Sequence, residues 1–349
     1  MKKSPAILVA TFYPIKFLGN KMKRLFFIIS AVVLVVVAVM LSFYYLKASN
    51  AKTLPEAPVM SSSEKNKENF TVSTPKEKIK ILFVGDMMFD RWIREVSDKR
   101  GADFIFQKTS GLLQSEDLVV GNLEGPITAQ PSVSLGSEIG ARENYIFTFP
   151  PAMAAKLYDE NIRLVNIGNN HILNFGKDGL EETKKYLLEA KINFFGEAGD
   201  EYKRFFIKEV KGIRIAFVNY NKFSDNGEQK ALDDLQEAKK LQPDFVVVYT
   251  HWGTEYVNSP SESIREQAHK FIDNGTDLII GSHPHVVQTK EEYKGKKIYY
   301  SLGNFVFDQY FDQDTQKGLV VQMEIDSKTE PVFREFNVEM KNSGQTVLN

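Results

Sequence analysis

The sequence predicts an α/β domain with mixed rather than purely parallel sheets, set behind one N-terminal transmembrane helix. Three observations carry this. An uncharged apolar run lies near the N-terminus; short β-rich apolar runs alternate with amphipathic stretches from Ile79 onward; and Lys-Gly pairs fold two of those runs back as hairpins. At 349 residues and 43% hydrophobic, the chain can bury a full core and still carry accessory segments. Lys+Arg 44 against Asp+Glu 45 leaves a net charge of -1, without the basic field that drives sequence-independent nucleic-acid binding, so nucleic acid is excluded as a main partner. Cysteine is absent, which removes disulfides, thiolate zinc sites and cysteine nucleophiles and fits an exported protein. Any metal must be held by oxygen and imidazole ligands.

Residues 1–24 are expected to be a cytoplasmic N-terminus, and Leu25 to Leu46 a transmembrane anchor. The anchor's 22 uncharged residues, at about 1.5 Å each, cross a hydrocarbon core of about 30 Å. Lys16, Lys21, Lys23 and Arg24 crowd its N-terminal side while only Lys47 and Lys52 follow closely, which places the N-terminus in the cytoplasm and the main domain outside. A cleaved signal peptide fits less well, because its apolar region is shorter and ends in small residues, whereas this one ends Phe43-Tyr44-Tyr45-Leu46. Met22-Lys23-Arg24 resembles a natural start, which would leave residues 1–21 outside the native chain. Residues 47–78, rich in Lys, Glu, Ser and Pro, bury too little to order themselves and read as a flexible tether.

Residues 79–349 form the extracytoplasmic domain. Buried strands are expected at 79–84, 118–120, 164–167, 245–249 and 278–280, and helices at Pro151 to Glu160, Gly179 to Ala190, Glu228 to Leu241 and Ser261 to Asn274. Hairpins are expected over Phe205 to Tyr220, turning at Lys211-Gly212, and over Glu291 to Val306, turning near Lys294-Gly295.

Polar residues follow the strands in a pattern: Gly85-Asp86; Gly121-Asn122-Leu123-Glu124; Gly168-Asn169-Asn170-His171; His251-Trp252-Gly253; Gly281-Ser282-His283-Pro284-His285; and Ser301-Leu302-Gly303-Asn304. One Gly-Asp or Gly-Asn alone is turn chemistry, and His269, inside an expected helix, is a packed or surface residue. Six such loops beyond strand ends, holding four of the five histidines, instead form one convergent polar site with the ligand types of a hydrolytic metal centre. An extended His-Pro-His segment would present His283 and His285 to the same cluster.

These motifs, together with Arg91, His251-Trp252-Gly253-Thr254-Glu255-Tyr256 and Phe305, resemble in identity and order those of the CapA/PgsA capsule-synthesis family, associated with poly-γ-glutamate and placed in the calcineurin-like metallophosphoesterase superfamily. The resemblance spans about residues 80 to 310. It implies a four-layer α/β/β/α sandwich with strand-end loops around one or two divalent cations, of which Mn, Fe, Zn and Mg are candidates. Carried over, Asp86 and His285 would bind a first metal and Asn170, His251 and His283 a second, with Glu124 or Asn122 near the bridging position. His171 would protonate the leaving group and Arg91 hold an anionic oxygen. Two departures stand out: Met88 occupies a position where the superfamily usually has histidine, and Asn122 stands where a bridging aspartate is usual. The function implied is a membrane-anchored component of capsule polymer synthesis or export, beside an anionic envelope polymer and synthase subunits. Two alternatives stay open: a cell-surface phosphoesterase, and a non-catalytic scaffold of a polymer synthase. Trp252, Tyr256, Phe305 and Phe307 would line a substrate groove or fill the core.

Overall fold

The computed structural model describes residues 78–196, 205–326 and 329–349. The expected cytoplasmic N-terminus, the anchor at 25–46 and the tether up to residue 77 lie outside the described residues. Among the described residues, no helix is long and apolar enough to cross a membrane.

Strand β1 (Ile79–Met87) leads to α1 (Arg91–Arg100), the short helices α2 (Asp103–Phe106) and α3 (Ser110–Gln114), then β2 (Leu118–Leu123), α4 (Ala152–Asp159), β3 (Ile162–Asn166), α5 (Gly176–Glu189) and β4 (Asn193–Phe195). The hairpin β5 (Phe205–Val210) and β6 (Ile213–Asn221) precedes α6 (Gly227–Lys240), β7 (Phe245–His251), α7 (Glu262–Asp273) and β8 (Leu278–Ser282). After β9 (Lys290–Tyr293) and β10 (Lys296–Tyr299) come β11 (Asn304–Val306), β12 (Lys317–Ile325), β13 (Val332–Met340) and β14 (Thr346–Leu348).

The strands make two mixed sheets. One runs β14-β13-β12-β1-β2-β3-β4, with β11 beside the end of β1; the other runs β5-β6-β7-β8-β10-β9. Strands β1 to β4 are parallel, whereas β12 runs antiparallel to β1, and the edge strands β5 and β9 run antiparallel to β6 and β10. Both hairpins turn where expected, with φ > 0 at both central residues, Lys211-Gly212 and Lys294-Gly295. That pair of conformations suits the twist of two-residue hairpins. The second hairpin is shorter than expected: it ends at Tyr299, and residues 304–306 cross to the other sheet to pair with β1.

Side-chain alternation builds the layers. Ile79, Ile81 and Phe83 of β1 face Ile215, Phe217, Val247, Tyr249 and Ile280, forming a core between the sheets. Leu82 and Val84 point the other way, onto Ile93, Leu113, Leu157, Leu180 and Leu187 of the helices. On the far side, Val218, Val246 and Val248 pack against Leu235 of α6 and Ile264 and Phe271 of α7. The central strands are thus apolar on both faces, which is why they read as continuous hydrophobic runs. Helix α7 shows the local logic: Ser261 caps it by accepting from the backbone N–H of Ile264, and Ile264, Ala268, Phe271 and Ile272 fall on its buried stripe.

Several strands outrun their expected limits. Gly85-Asp86, Gly121-Asn122, His251 and Gly281-Ser282 lie within strands, at or next to their ends, rather than in turns. Gly85 is there for proximity: a Cβ on it would lie 2.0 Å from the backbone oxygen of Gly303, the same oxygen that accepts from Asp86 N at 3.0 Å. The crossing of β11 onto β1 therefore needs glycine at 85.

Candidate metal centre

The carboxyl ends of β1, β2, β7 and β8 bring Asp86, Glu124, His251, His283 and His285 together, each at least 95% buried. Two donor sets emerge, Asp86/Glu124/His285 and Glu124/His251/His283, with ligand atoms within 4.8 Å of one another in each. Glu124 belongs to both. Its Oε1 stands 3.4 Å from His285 Nε2 and 3.9 Å from His251 Nε2, and it has no hydrogen-bond donor. The other oxygen, Oε2, accepts from Asn122 Nδ2 at 3.3 Å.

Asn122 is an orienting group rather than a bridge. Its Nδ2 donates to Asp86 Oδ1 at 2.8 Å, while its Oδ1 accepts from the amides of Asn166 at 3.0 Å and Asn169 at 3.1 Å. Asn166 Oδ1 in turn accepts from Asn219 Nδ2 at 2.9 Å and Gly168 N at 3.2 Å. This chain of carboxamides fixes which end of Asn122 faces the carboxylates. Asp86 Oδ2 accepts from His283 N at 3.0 Å, so the first strand end is tied to the histidine segment.

Two imidazoles have their tautomers set by neighbours. Ser282 Oγ donates to Thr250 O at 2.7 Å, leaving lone pairs for His251 Nδ1–H at 3.0 Å. His251 Nε2 lies 2.8 Å from Asn170 Oδ1, and Asn122 Nδ2 lies 3.4 Å from His251 Nδ1. Asn304 donates from Nδ2 to Gln309 Oε1 at 3.1 Å and Thr315 O at 2.9 Å, so its Oδ1 accepts from His285 Nδ1–H at 2.9 Å and leaves Nε2 toward Glu124. Orientation of this kind by a second layer is usual around metal-ligating histidine.

The His-Pro-His segment is not extended: His283 and His285 have φ of 95° and 58°, left-handed values that β-carbon sterics disfavour. The bends at both histidines turn their rings into the cluster, 6.0 Å apart between centroids.

Electrostatics follow burial. Desolvation, then the Asp86 carboxylate, push the Glu124 carboxyl well above the usual range. Burial and the neighbouring imidazoles push His251 well below its ordinary value and His283 down to about 3. His251 and His283 are therefore neutral at neutral pH. A divalent cation suits this donor set: oxygen and imidazole ligands, an unpartnered buried Glu124 Oε1, and a buried His283 Nδ1 that also lacks a partner.

His171 and Arg91 flank the donors. His171 packs against Phe147, tilted, with ring centroids 4.4 Å apart, and burial pushes its imidazole down to about 4. Asn174 Oδ1, which accepts from Phe147 N at 2.9 Å, lies 3.2 Å from His171 Nδ1, so Nδ1 carries the proton and Nε2 the lone pair. Arg91 sits between Phe147 and Phe307, 5.1 and 5.5 Å from their centroids. Its guanidinium is paired with Asp308 and bonded to Asn144 Oδ1 at 3.0 Å, so it is already committed within the protein. Met88 is buried, its sulfur 3.0 Å from Asp90 N, and takes no place among the donors. His269 lies on α7, stacked on Tyr293 and bonded to Glu291, as expected of a packed residue. Trp252, Phe305 and Phe307 are core residues; Tyr256 is exposed. A cavity of about 360 Å³ beside the donors is lined by Arg91, Trp92, Tyr145, Tyr256, Asp308 and Phe311.

Sequence reasoning missed Asn166, Asn219, Ser282, Asn304 and Asp308 as working parts of this region. Ser282 and Asn304 lay inside quoted motifs, but their partners come from other strands, and no local pattern announces that.

Residues 80–309 match the family model described as bacterial capsule synthesis protein PGA_cap. The chain is 33% identical over 270 residues to the PGA biosynthesis protein CapA of Bacillus subtilis (strain 168), covering 71% of this chain and 70% of that protein. It is 32% identical over 264 residues to the capsule biosynthesis protein CapA of Bacillus anthracis, covering 70% and 63%. A probable polyglutamine synthesis accessory protein of Mycobacterium tuberculosis (strain ATCC 25618 / H37Rv) is 26% identical over 218 residues, covering 55% and 56%.

Proposed function

This chain belongs to the bacterial capsule synthesis protein family, and from that premise we propose that it is a membrane-anchored, extracytoplasmic component of poly-γ-glutamate-type polymer synthesis or export with a metal-dependent hydrolase or transferase site. The observation that carries the site is Glu124, shared by two donor sets and left without a hydrogen-bond donor on Oε1. Asp86, Glu124 and His285 would hold one divalent cation, and Glu124, His251 and His283, with Asn170 adjacent, a second. Bound there, such a cation supplies Lewis acidity toward a carbonyl or phosphoryl oxygen.

The chain's own residues do the rest. Asn122 and its carboxamide neighbours keep both carboxylates aimed inward. Ser282 and Asn304 keep Nε2 of His251 and His285 unprotonated. His171 would accept a proton released by a nucleophile and return it to a leaving amine or oxygen; to act as the acid it must first be loaded in this way. Arg91, its charge partly offset by Asp308, fixes the wall of the adjoining cavity and lends a residual positive field toward an anionic chain. The uncharged run at 25–46 and its basic N-terminal flank support single-pass anchoring with the domain outside the cell.

The test is complementation of a capsule-forming strain lacking its own copy, scored as surface polymer. Wild type restores polymer, Glu124→Gln and His171→Ala at equal protein level do not. Full restoration by both variants would overturn a reactive centre and leave a scaffold.

A further inference from the structure

Glu255 is a carboxylate near the centre that neither buried set uses. With His283 and His285 it forms a third group whose ligand atoms lie within 4.8 Å of one another, and it is the half-buried member of that group. The three sets interlock: the buried sets share Glu124, the outer set shares His283 with one of them and His285 with the other. His283 is 95% buried and its Nδ1 has no partner within the protein, which marks this imidazole as built for something not otherwise present.

The segment carrying Glu255 is pinned alongside the histidines. Trp252 N donates to Ser282 O at 3.2 Å and Tyr256 N to Pro284 O at 2.9 Å, while the Trp252 indole donates to Tyr300 O at 2.8 Å. Gly253, at φ 91°, makes the bend between them, and a Cβ on it would lie 3.2 Å from Pro284. The Glu255 carboxylate also acts electrostatically on Glu124, raising its proton affinity further. Exposure falls along one line, from half-buried Glu255 through His283 at 5% and His285 at 2% to Asp86, Glu124 and His251 at 0%.

We propose that Glu255, His283 and His285 form an outer position for a divalent cation, the point at which a cation from solvent is captured before it passes to the buried donors. Two histidines and one carboxylate on one side of a metal leave positions open for water, as an entry site requires. Because each histidine belongs also to a buried set, a cation moving inward keeps one histidine while its other two ligands are exchanged. The carboxylate at the mouth supplies electrostatic attraction for a cation. The proposal rests on the reading of the buried sets as a metal centre.

The experiment uses the purified full chain in detergent, stripped with chelator and mixed with Mn²⁺, following uptake and release over time and the final Mn²⁺ count per chain. Glu255→Gln is expected to reach the wild-type count but to load and release at least about tenfold more slowly, with Glu255→Asp in between. Loading of Glu255→Gln within about twofold of wild type overturns the entry position while leaving the buried centre standing. A lower final count in Glu255→Gln also overturns it, making Glu255 an integral ligand. Failure of the wild type to bind Mn²⁺ overturns the buried centre and this proposal with it.

Discussion

Glu124 Oε1 lies 3.4 Å from His285 Nε2 and receives no hydrogen bond from any residue around it. Burial, and then the Asp86 carboxylate, push the Glu124 carboxyl toward its neutral form, and a cation beside Oε1 would reverse that.

Glu124→Gln therefore separates metal binding from folding. The substitution keeps the shape and the bond from Asn122, and removes a carboxyl that sits badly next to Asp86 without metal. Divalent-cation affinity is expected to fall at least about 100-fold, while the chelated protein melts no lower than chelated wild type. Isothermal titration and a thermal melt in chelator check the two halves.

Asn304→Ala and Ser282→Ala test the layer behind the ligands. Each removes an acceptor that fixes a histidine tautomer, so each is expected to lower metal affinity about 10- to 100-fold. Asn304 also holds Gln309 and Thr315 O, so its loss carries a stability cost of about 1–3 kcal/mol that Ser282→Ala shares only in part. Parallel titrations and denaturant unfolding distinguish the contributions.

Acid should destabilise the metal-free protein from the histidine range downward. His171, His251 and His283 are all held below their ordinary value of 6.5, the first to about 4 and the last to about 3. As pH falls below 6.5 the unfolded chain binds protons that the folded chain refuses, so stability present above that pH is lost, by up to about 1.4 kcal/mol per unit per histidine. Glu124, with its value raised, works in the opposite direction and offsets part of the loss. Denaturant midpoints in chelator between neutral and acid pH should fall accordingly, and fall more steeply in Glu124→Gln. A flat profile would mean that the imidazoles are not buried in neutral form.

Gly85→Ala probes the strand crossing on which the centre is built. Its Cβ would meet Gly303 O at 2.0 Å, a contact that only movement of β11 can relieve. A loss of at least about 3 kcal/mol is expected, read as a large drop in melting temperature, together with weaker metal binding because Asn304 starts β11.

Much of this molecule was legible in its residues. The buried strands and four helices announced themselves because continuous apolar runs and stripes of period 3.6 are local signals, and the Lys-Gly turns because two φ > 0 residues have few solutions. Helices α2 and α3 and strand β14 are too short for a periodic signal, and β13 is patchily buried; α1 and β12 are long enough to have been read and were not. The donors were visible as polar residues ending apolar strands. Their grouping was only partly so: that Glu124 stands between the two sets, and that Asn122 turns its amide rather than its oxygen to Asp86, depends on Asn166, Asn169 and Asn219 from two other strand ends. The bent rather than extended His-Pro-His segment was likewise hidden, since its two left-handed histidines are imposed by tertiary contacts such as His283 N to Asp86.

The most direct measurement is the number of divalent cations bound per purified full-length chain, counted by elemental mass spectrometry after stripping and reloading, beside a His283→Ala/His285→Ala variant. Two per chain in the wild type and at most one in the variant is the result predicted by two donor sets joined at Glu124. No cation above the variant's level would contradict the metal centre.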